Sequence, residues 1–171
     1  MTLNIIIFAK IKIIQDKTKT ATCTFNNTWS SVQGLITINE DNNFTTITVN
    51  ITGLDPKSFH GFHIHEYGDL GNNCNNTGNH YNPFNNVHGG LDNPNRHLGD
   101  FGNLYANETG SVNKQFYFSS NEISLSGNYS IIGKSFVVHE KEDDLGLGGN
   151  PTSLQNGNSG HRIGCCLIEA S

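Results

Sequence analysis

Between residue 20 and the C-terminus, apolar and polar residues trade places in short runs punctuated by glycine and asparagine. In residues 32–39, Val32, Gly34, Ile36 and Ile38 share one parity. In residues 44–51, Thr45, Ile47, Val49 and Ile51 oppose Phe44, Thr46, Thr48 and Asn50. A period of two is what a strand shows when one face packs on a core and the other meets water. Residues 59–66, 101–107, 112–118, 135–139 and 161–168 are further extended runs. No stretch carries a convincing helical stripe. The spacing predicts an all-β sandwich or barrel of antiparallel strands.

Two stretches refuse the pattern. Residues 68–100 and 141–160 hold no strand-like run, and the second contains Gly146, Gly148, Gly149, Gly157 and Gly160. Loops longer than about 12–15 residues without structure of their own need a functional reason.

Bulk properties narrow the function. At 171 residues and 18.7 kDa the chain fits one domain. A net charge of -5, a pI near 5.8 and no lysine/arginine cluster argue against nucleic acid as a partner. They leave room for a small anionic substrate, because a local positive field can oppose the overall sign. Charged residues are only 15%, and Asn, Ser and Thr carry much of the polar surface. No stretch approaches the roughly 18 apolar residues of a membrane span. The apolar run at residues 5–9 is short and is followed by Lys10 and Lys12, a poor match to a secretory signal. The alternation around Ile11 and Ile13 reads as an extra strand or an ordered arm. Sequons at Asn26, Asn43, Asn50, Asn75, Asn107 and Asn128 are weak evidence of glycosylation in a chain so rich in Asn and Thr.

The histidines point to a chemistry. His63 and His65 flank Ile64 in an extended run, so both imidazoles face one side of a rigid strand. His139 ends the apolar run Phe136-Val137-Val138 and can approach from a neighbouring strand. Three imidazoles on a β scaffold suit copper, with His80 from the first loop as a fourth. His80, His88, His97 and Asp100 make a zinc-type set within that loop. His80 serves both only if its imidazole is deprotonated and bridges two ions. His60 shares the parity of Phe62 and reads as structural, and His161 reads as exposed.

Several runs together resemble the copper/zinc superoxide dismutase family. They are Phe59-His60-Gly61-Phe62-His63-Ile64-His65-Glu66-Tyr67-Gly68-Asp69, Gly78-Asn79-His80-Tyr81-Asn82-Pro83, His88-Gly89-Gly90, Arg96-His97-Leu98-Gly99-Asp100-Phe101-Gly102-Asn103, Val137-Val138-His139-Glu140-Lys141-Glu142-Asp143-Asp144-Leu145-Gly146 and Gly164-Cys165. The resemblance covers roughly residues 21–170. It implies an eight-stranded Greek-key sandwich of immunoglobulin-like architecture with two long functional loops. The domain would be residues 20–171, preceded by an extension at 1–19. The implied reaction is conversion of superoxide to dioxygen and hydrogen peroxide by alternate reduction and reoxidation of copper.

Carried over by position, copper falls to His63, His65, His80 and His139, and zinc to His80, His88, His97 and Asp100. Asp143 corresponds to an aspartate that hydrogen-bonds one imidazole of each set. Arg162 corresponds to the arginine that attracts superoxide, and Cys74 pairs with Cys165. The adjacent Cys166 leaves a pairing ambiguity, and Cys23 and Cys166 match no disulfide of the family. The resemblance also implies a two-fold homodimer through the segments around Tyr67-Gly68 and Ile132-Gly133, and brings in a copper chaperone as a loading partner.

The chain departs from the family in its second loop. Pro151 and Thr152 stand where many members carry glutamates, and Gln155 where they carry lysine, so superoxide steering rests more on Arg162, with Lys141 the only nearby cation. Glu169 and Ala170 replace more apolar residues near the dimer contact. The bias toward Asn and Ile suits an AT-rich coding genome, of a eukaryote or a large DNA virus. The expected compartment is the cytoplasm in preference to secretion or a virion, although disulfides are usually rare there.

Overall fold

The structure, a computed structural model, describes residues 18–171. Along these residues run β1 (Lys19–Phe25), β2 (Gln33–Glu40), β3 (Phe44–Thr52), β4 (Phe59–His65), β5 (Asp100–Tyr105), β6 (Val112–Ser119), β7 (Ser135–His139), a single helical turn α1 (Ser153–Asn156), β8 (Arg162–Leu167) and β9 (Glu169–Ala170). A 3-10 turn occupies Asn75–Thr77. The strands form two antiparallel sheets, β6-β3-β2-β1-β9 and β5-β4-β7-β8. Strand β9 is a two-residue stub on β1, so eight strands carry the sandwich. The expected arm around Ile11 and Ile13 lies outside the described residues.

The alternation analysis passes over one element, β1. Its inward positions are Ala21, Cys23 and Phe25, and its outward positions are threonines. Two small residues on the apolar parity leave little contrast to read. Strand β1 starts at Lys19, one residue before the expected domain start.

The two sheets differ in a way that locates the site. In the five-stranded sheet, burial alternates with the pleat, and Thr22, Thr37 and Thr48 line up across β1, β2 and β3 on the outer face. In the four-stranded sheet β4 is buried from His60 to His65 and β7 throughout. Both faces of that sheet are therefore covered. The inner face packs on the core; the outer face lies under the two long loops.

On the inner side, Phe62 stacks on Phe136 at 4.9 Å between ring centroids, and Phe101 meets both edge-on at 5.8 and 5.6 Å. Phe116 from the opposite sheet approaches Phe101 at 5.2 Å. Tilted and edge-to-face rings add to the hydrophobic gain of burial. At one end of the sandwich the buried Glu40 accepts from Leu125 N, from Ser124 Oγ at 3.0 Å and from Lys19 Nζ at 2.6 Å. Those hydrogen bonds outweigh its burial and hold its pKa below the ordinary value.

All four cysteines are bridged: Cys74 to Cys165, as the resemblance implies, and Cys23 to Cys166. The second bridge joins β1 of one sheet to β8 of the other. It was not expected from sequence. A cross-link closing a loop of 143 residues removes chain entropy worth up to about 5 kcal/mol in the loop-closure relation.

Replacing Phe62 by alanine should remove the centre of the aromatic cluster and cost about 3–5 kcal/mol of unfolding free energy. Chemical denaturation with both bridges intact measures it. A loss under about 1 kcal/mol would mean that the cluster repacks and that Phe62 is not its centre.

Candidate metal centre

The site stands on the outer face of the four-stranded sheet because the pleat puts it there. Phe62 and Ile64 of β4 point into the core, so His63 and His65 point the other way. In β7, Phe136 and Val138 enter the core and His139 follows on the opposite parity. Across the sheet His63 lies opposite Asp100 of β5, and His139 opposite Arg162 of β8. Both pairings occur beside register shifts, between Gly61 and His63 and between Val138 and His139. Such irregularities re-aim side chains at a strand end.

The first loop is clipped onto β4 by backbone hydrogen bonds. Tyr81 N donates to Ile64 O at 2.8 Å, Ile64 N to Gly99 O at 2.8 Å and Glu66 N to Asn79 O at 2.9 Å. His80 thereby sits beside His65 as an isolated bridge of the sheet. His88 N donates to Leu154 O at 2.9 Å, tying the first loop to the second.

One ligand atom each from His63, His65, His80 and His139 lie within 4.8 Å of one another. A second group of the same tightness comprises His63, His80, His88 and Asp100. His97 stands at its edge, with Nδ1 3.2 Å from Asp100 Oδ1 and its ring centroid 5.5 Å from that of His80. The structure thus brings together the expected imidazoles with Asp100. By distance, His63 as well as His80 belongs to both groups. His161 is exposed. His60 is buried behind the site, its Nδ1 donating to His139 O at 2.8 Å and its Nε2 2.7 Å from Ser58 Oγ.

Hydrogen bonds decide which nitrogen of each ring is free. A carbonyl can only accept, so His65 Nδ1–H donates to Gly78 O at 3.0 Å and His139 Nδ1–H to Gly160 O at 3.2 Å. The Nε2 lone pairs of these two rings then face each other at 3.3 Å. Asp143 accepts from His63 Nε2 and His88 Nε2, both at 2.8 Å, which leaves the His63 Nδ1 lone pair free, while His88 Nδ1 lies 3.1 Å from Asp100 Oδ2. His80 Nδ1 meets Asp100 Oδ1 at 2.8 Å. Two buried ring nitrogens at the site, His63 Nδ1 and His80 Nε2, are left with no hydrogen-bond partner, and His88 Nδ1 faces only the Asp100 carboxylate. Orphaned buried lone pairs are costly unless something fills the space between them. Imidazoles aimed inward, with their outer nitrogens fixed, are a donor set for divalent copper and zinc.

Residues outside the two ligand groups hold this arrangement. Asn103 Nδ2 donates to Asp143 O and Asn103 Oδ1 accepts from Asp143 N, both at 2.8 Å, which fixes the backbone of the carboxylate joining the two groups. At Gly157, with φ +67°, a Cβ would lie 1.9 Å from Asp143 Oδ1 and 2.5 Å from His88 Nε2, so only glycine fits. Arg162 NH1 donates to Cys74 O at 2.7 Å, Asn75 O at 2.9 Å and Thr77 Oγ1 at 3.0 Å. Its NH2 donates to Gly78 O at 2.6 Å, the carbonyl that also holds His65.

Arg162 lines a cleft of about 460 Å³ whose floor includes His65, His80 and His139. Its walls are largely amides: Asn79, Asn82, Asn85, Asn86, Gln155 and Asn156. Glu66 and Arg162 are the charged side chains of acidic or basic type along it, histidines aside. Lys141 is not among the lining residues and packs against Gly160.

Ionisation follows from this geometry in the metal-free chain. Burial, then the neighbouring imidazoles His80 and His139, push His63 and His65 well below their ordinary pKa. Burial likewise lowers His80, and takes His139 down to about 3. Burial also opposes charge on His88, yet hydrogen bonds to Asp100 and Asp143 prevail and raise it to about 9. Asp100 resists the effect of its own burial because His80, His88 and His97 hold it far below the usual carboxylate range. Burial lowers the Arg162 pKa as well.

The chain's residues 32–168 match the family model described as copper/zinc superoxide dismutase. It is similar to a copper-zinc superoxide dismutase of Paramecium bursaria Chlorella virus 1, with 47% identity over 137 residues, covering 80% of this chain and 72% of that relative. It is also similar to copper-zinc superoxide dismutase 3 of Arabidopsis thaliana, with 45% identity over 140 residues, covering 81% of this chain and 84% of that relative.

Metal-free protein should be most stable near neutral pH. The lowered imidazoles stabilise the fold fully above their unfolded pKa of about 6.5, and the contribution is lost as pH falls toward about 3. His88 acts in the other direction: its contribution is complete below about 6.5 and disappears as pH rises through about 9. Denaturant midpoints of chelator-treated protein across this range would show a fall on both sides. A midpoint still climbing at acid pH would contradict neutral buried imidazoles.

Proposed function

The chain belongs to the copper/zinc superoxide dismutase family, and we propose that the buried imidazole cluster is the centre at which it converts superoxide to dioxygen and hydrogen peroxide. When bound, copper supplies the one-electron couple for both halves of the reaction, and zinc supplies a fixed charge with no redox chemistry. The observation that carries the assignment is the pair of buried ring nitrogens without a partner, His63 Nδ1 and His80 Nε2, converging beside the carboxylate that His88 Nδ1 faces.

In this reading His63 Nδ1, His65 Nε2, His80 Nε2 and His139 Nε2 would hold copper. The Nδ1 atoms of His80, His88 and His97, with the Asp100 carboxylate, would hold zinc. Three imidazoles and a carboxylate make a closed set for a non-catalytic zinc. His80 reaches both sides with its two nitrogens. Its Nε2 is the atom suited to take up a proton and give it back as the charge beside it changes. Asp143 keeps His63 and His88 in the tautomer that presents Nδ1 inward.

Arg162 is the residue that attracts the anion. Its guanidinium is fixed by three carbonyls and a hydroxyl and shares the cleft with His65, His80 and His139. With Glu66 the acidic residue of the lining and Gln155 neutral, Arg162 carries the local positive field almost alone.

The reading extends to a two-fold homodimer. Gly68 and Gly133 pack together, since a Cβ on Gly68 would lie 2.6 Å from Gly133 O. Beside them Tyr67 is 58% exposed, giving the two segments one continuous surface with an apolar ring on it. We take residues 20–171 as the catalytic domain and 1–19 as an extension. A cytoplasmic place of action fits this reading only if the bridges survive a reducing medium. No helix among the described residues is long and apolar enough to cross a membrane.

Full remetallation followed by elemental analysis should give one copper and one zinc per chain, and that protein should turn over superoxide. Zinc filling both positions under saturating copper would remove the proposed centre. Bound copper without turnover would leave a metal-holding module instead.

Arg162→Ala should lower the bimolecular rate with superoxide about tenfold or more while both metals stay bound. The wild-type rate should fall with added salt, because ions screen attraction over roughly 8–10 Å. Pulse radiolysis across an ionic-strength series reads both effects. An unchanged rate in R162A would end the steering role, and a wild-type rate rising with salt would assign the dominant field to the protein's negative charge.

A further inference from the structure

Of the chain's 25 asparagines, Asn156 alone is followed by glycine. The pair closes α1: Asn156 is its last helical residue, and Gly157 caps it in a left-handed conformation, φ 67°. The Asp143 and His88 side chains leave no room for a Cβ at residue 157, so the imidazole cluster behind the pair dictates its glycine. Asn156 itself looks the other way. It is half-buried in the amide wall of the cleft, in the same lining as Arg162, His65, His80 and His139.

An asparagine side chain is open to attack by the backbone nitrogen of the residue after it. Glycine makes that attack easiest, because it sets no side chain beside the nitrogen and lets the backbone turn to close a small ring. Gly157 N would give its proton to hydroxide and bond to Asn156 Cγ, and Nδ2 would leave as ammonia. Water then opens the cyclic imide. Cleavage of the new bond gives aspartate; cleavage of the original peptide bond gives isoaspartate, with the chain running through the side chain. One water is consumed, one ammonia is released and no electrons move. The folded backbone holds this step back, since Gly157 N donates to Ser153 O at 3.0 Å and is committed until α1 opens. A single helical turn does not hold itself. It is held by Ser153 Oγ, which donates to Asp144 Oδ1 at 2.7 Å and accepts from Gly148 N at 2.9 Å, and by Leu154 O, which accepts from His88 N at 2.9 Å.

We propose that Asn156 is a site of spontaneous covalent modification: local opening of α1 lets Gly157 N attack it, and the carboxylate that results turns a neutral wall of the cleft anionic. Short elements tied by a few hydrogen bonds open far below the free energy of global unfolding. The effect on substrate rests on the reading of this cleft as the path of superoxide. Arg162 is the one arginine or lysine along the lining, and Glu66 already opposes it. A second carboxylate there weakens the field that draws an anion inward. The isoaspartate product also lengthens the backbone between α1 and Gly157, whose carbonyl accepts from Asp144 N at 2.8 Å. The chain thus records its own age beside the cation on which capture depends, with water as the only reagent.

The full chain carrying its metals is incubated in mildly alkaline heavy-oxygen water and mapped by mass spectrometry. Asn156 should convert ahead of every other asparagine, releasing ammonia and taking up the heavy oxygen, with isoaspartate among the products. Sub-denaturing urea should speed conversion only slightly, because opening one turn exposes little surface. Ser153→Ala removes two of the hydrogen bonds that hold α1 and should speed conversion about tenfold or more, with the strands intact by circular dichroism. Asn156→Asp makes the charged product directly. It should lower the bimolecular rate with superoxide about threefold at low salt, and the difference should vanish at high salt. Conversion of another asparagine first would overturn the proposal. So would a rate at Asn156 that climbs with urea as steeply as global unfolding, or one that S153A leaves unchanged. An N156D rate equal to wild type at low salt would overturn the effect on the cleft. The mass readout needs no turnover, so it stands or falls apart from the dismutase reading.

Discussion

The pleat of β4 is the constraint on which the rest depends. Because alternate residues leave the strand on opposite sides, Phe62 and Ile64 anchor the hydrophobic core, and His63 and His65 are delivered together to the other face. Core and site are thus two sides of one backbone segment. The imidazoles inherit their rigidity from the aromatic packing beneath them, and a register slip of one residue would bury polar rings and expose phenylalanine. The same logic repeats in β7 and β8, where Val138 alternates with His139 and Cys166 with Cys165.

What the sheet does not supply, the loops do, through hydrogen bonds instead of coordination. Asp143 spans the two imidazole groups, and Asn103 fixes Asp143 from the neighbouring β5. The Gly160 carbonyl fixes His139. These contacts choose a tautomer before any ion arrives, so the site is ordered by its surroundings and not by its cargo. The cost is visible in the ionisation behaviour: several rings are held neutral by burial, with Asp100 held ionised among them.

Much of this was legible in the sequence. Period-two runs were enough for the strands β2 to β8, because residues such as Ile36, Ile47 and Ile51 make a strong contrast with their polar neighbours. Spacing alone was enough to propose that His63, His65, His80 and His139 meet. Strand β1 escaped because Ala21 and Cys23 are small and every outward neighbour is threonine. The Cys23–Cys166 bridge escaped because pairing depends on the distance between two sheets, which no local pattern reports. Asn103 and the Gly78 and Gly160 carbonyls escaped for a related reason: a backbone acceptor or a common amide acquires its role from what folds against it. The neutral character of the cleft was only partly visible. Gln155 was readable, but Asn82, Asn85 and Asn86 become walls only once the first loop is wrapped over β4.

The Gly78 carbonyl accepts from His65 and from Arg162 at once. An imidazole of the candidate cluster and the arginine of the cleft are therefore tied to a single peptide group. Since His65 stands on β4 and Arg162 on β8, that carbonyl also couples the positions of the two side chains across the sheet. One amide plane, in a loop clipped to β4 on either side of it, therefore fixes the spacing between imidazole and guanidinium.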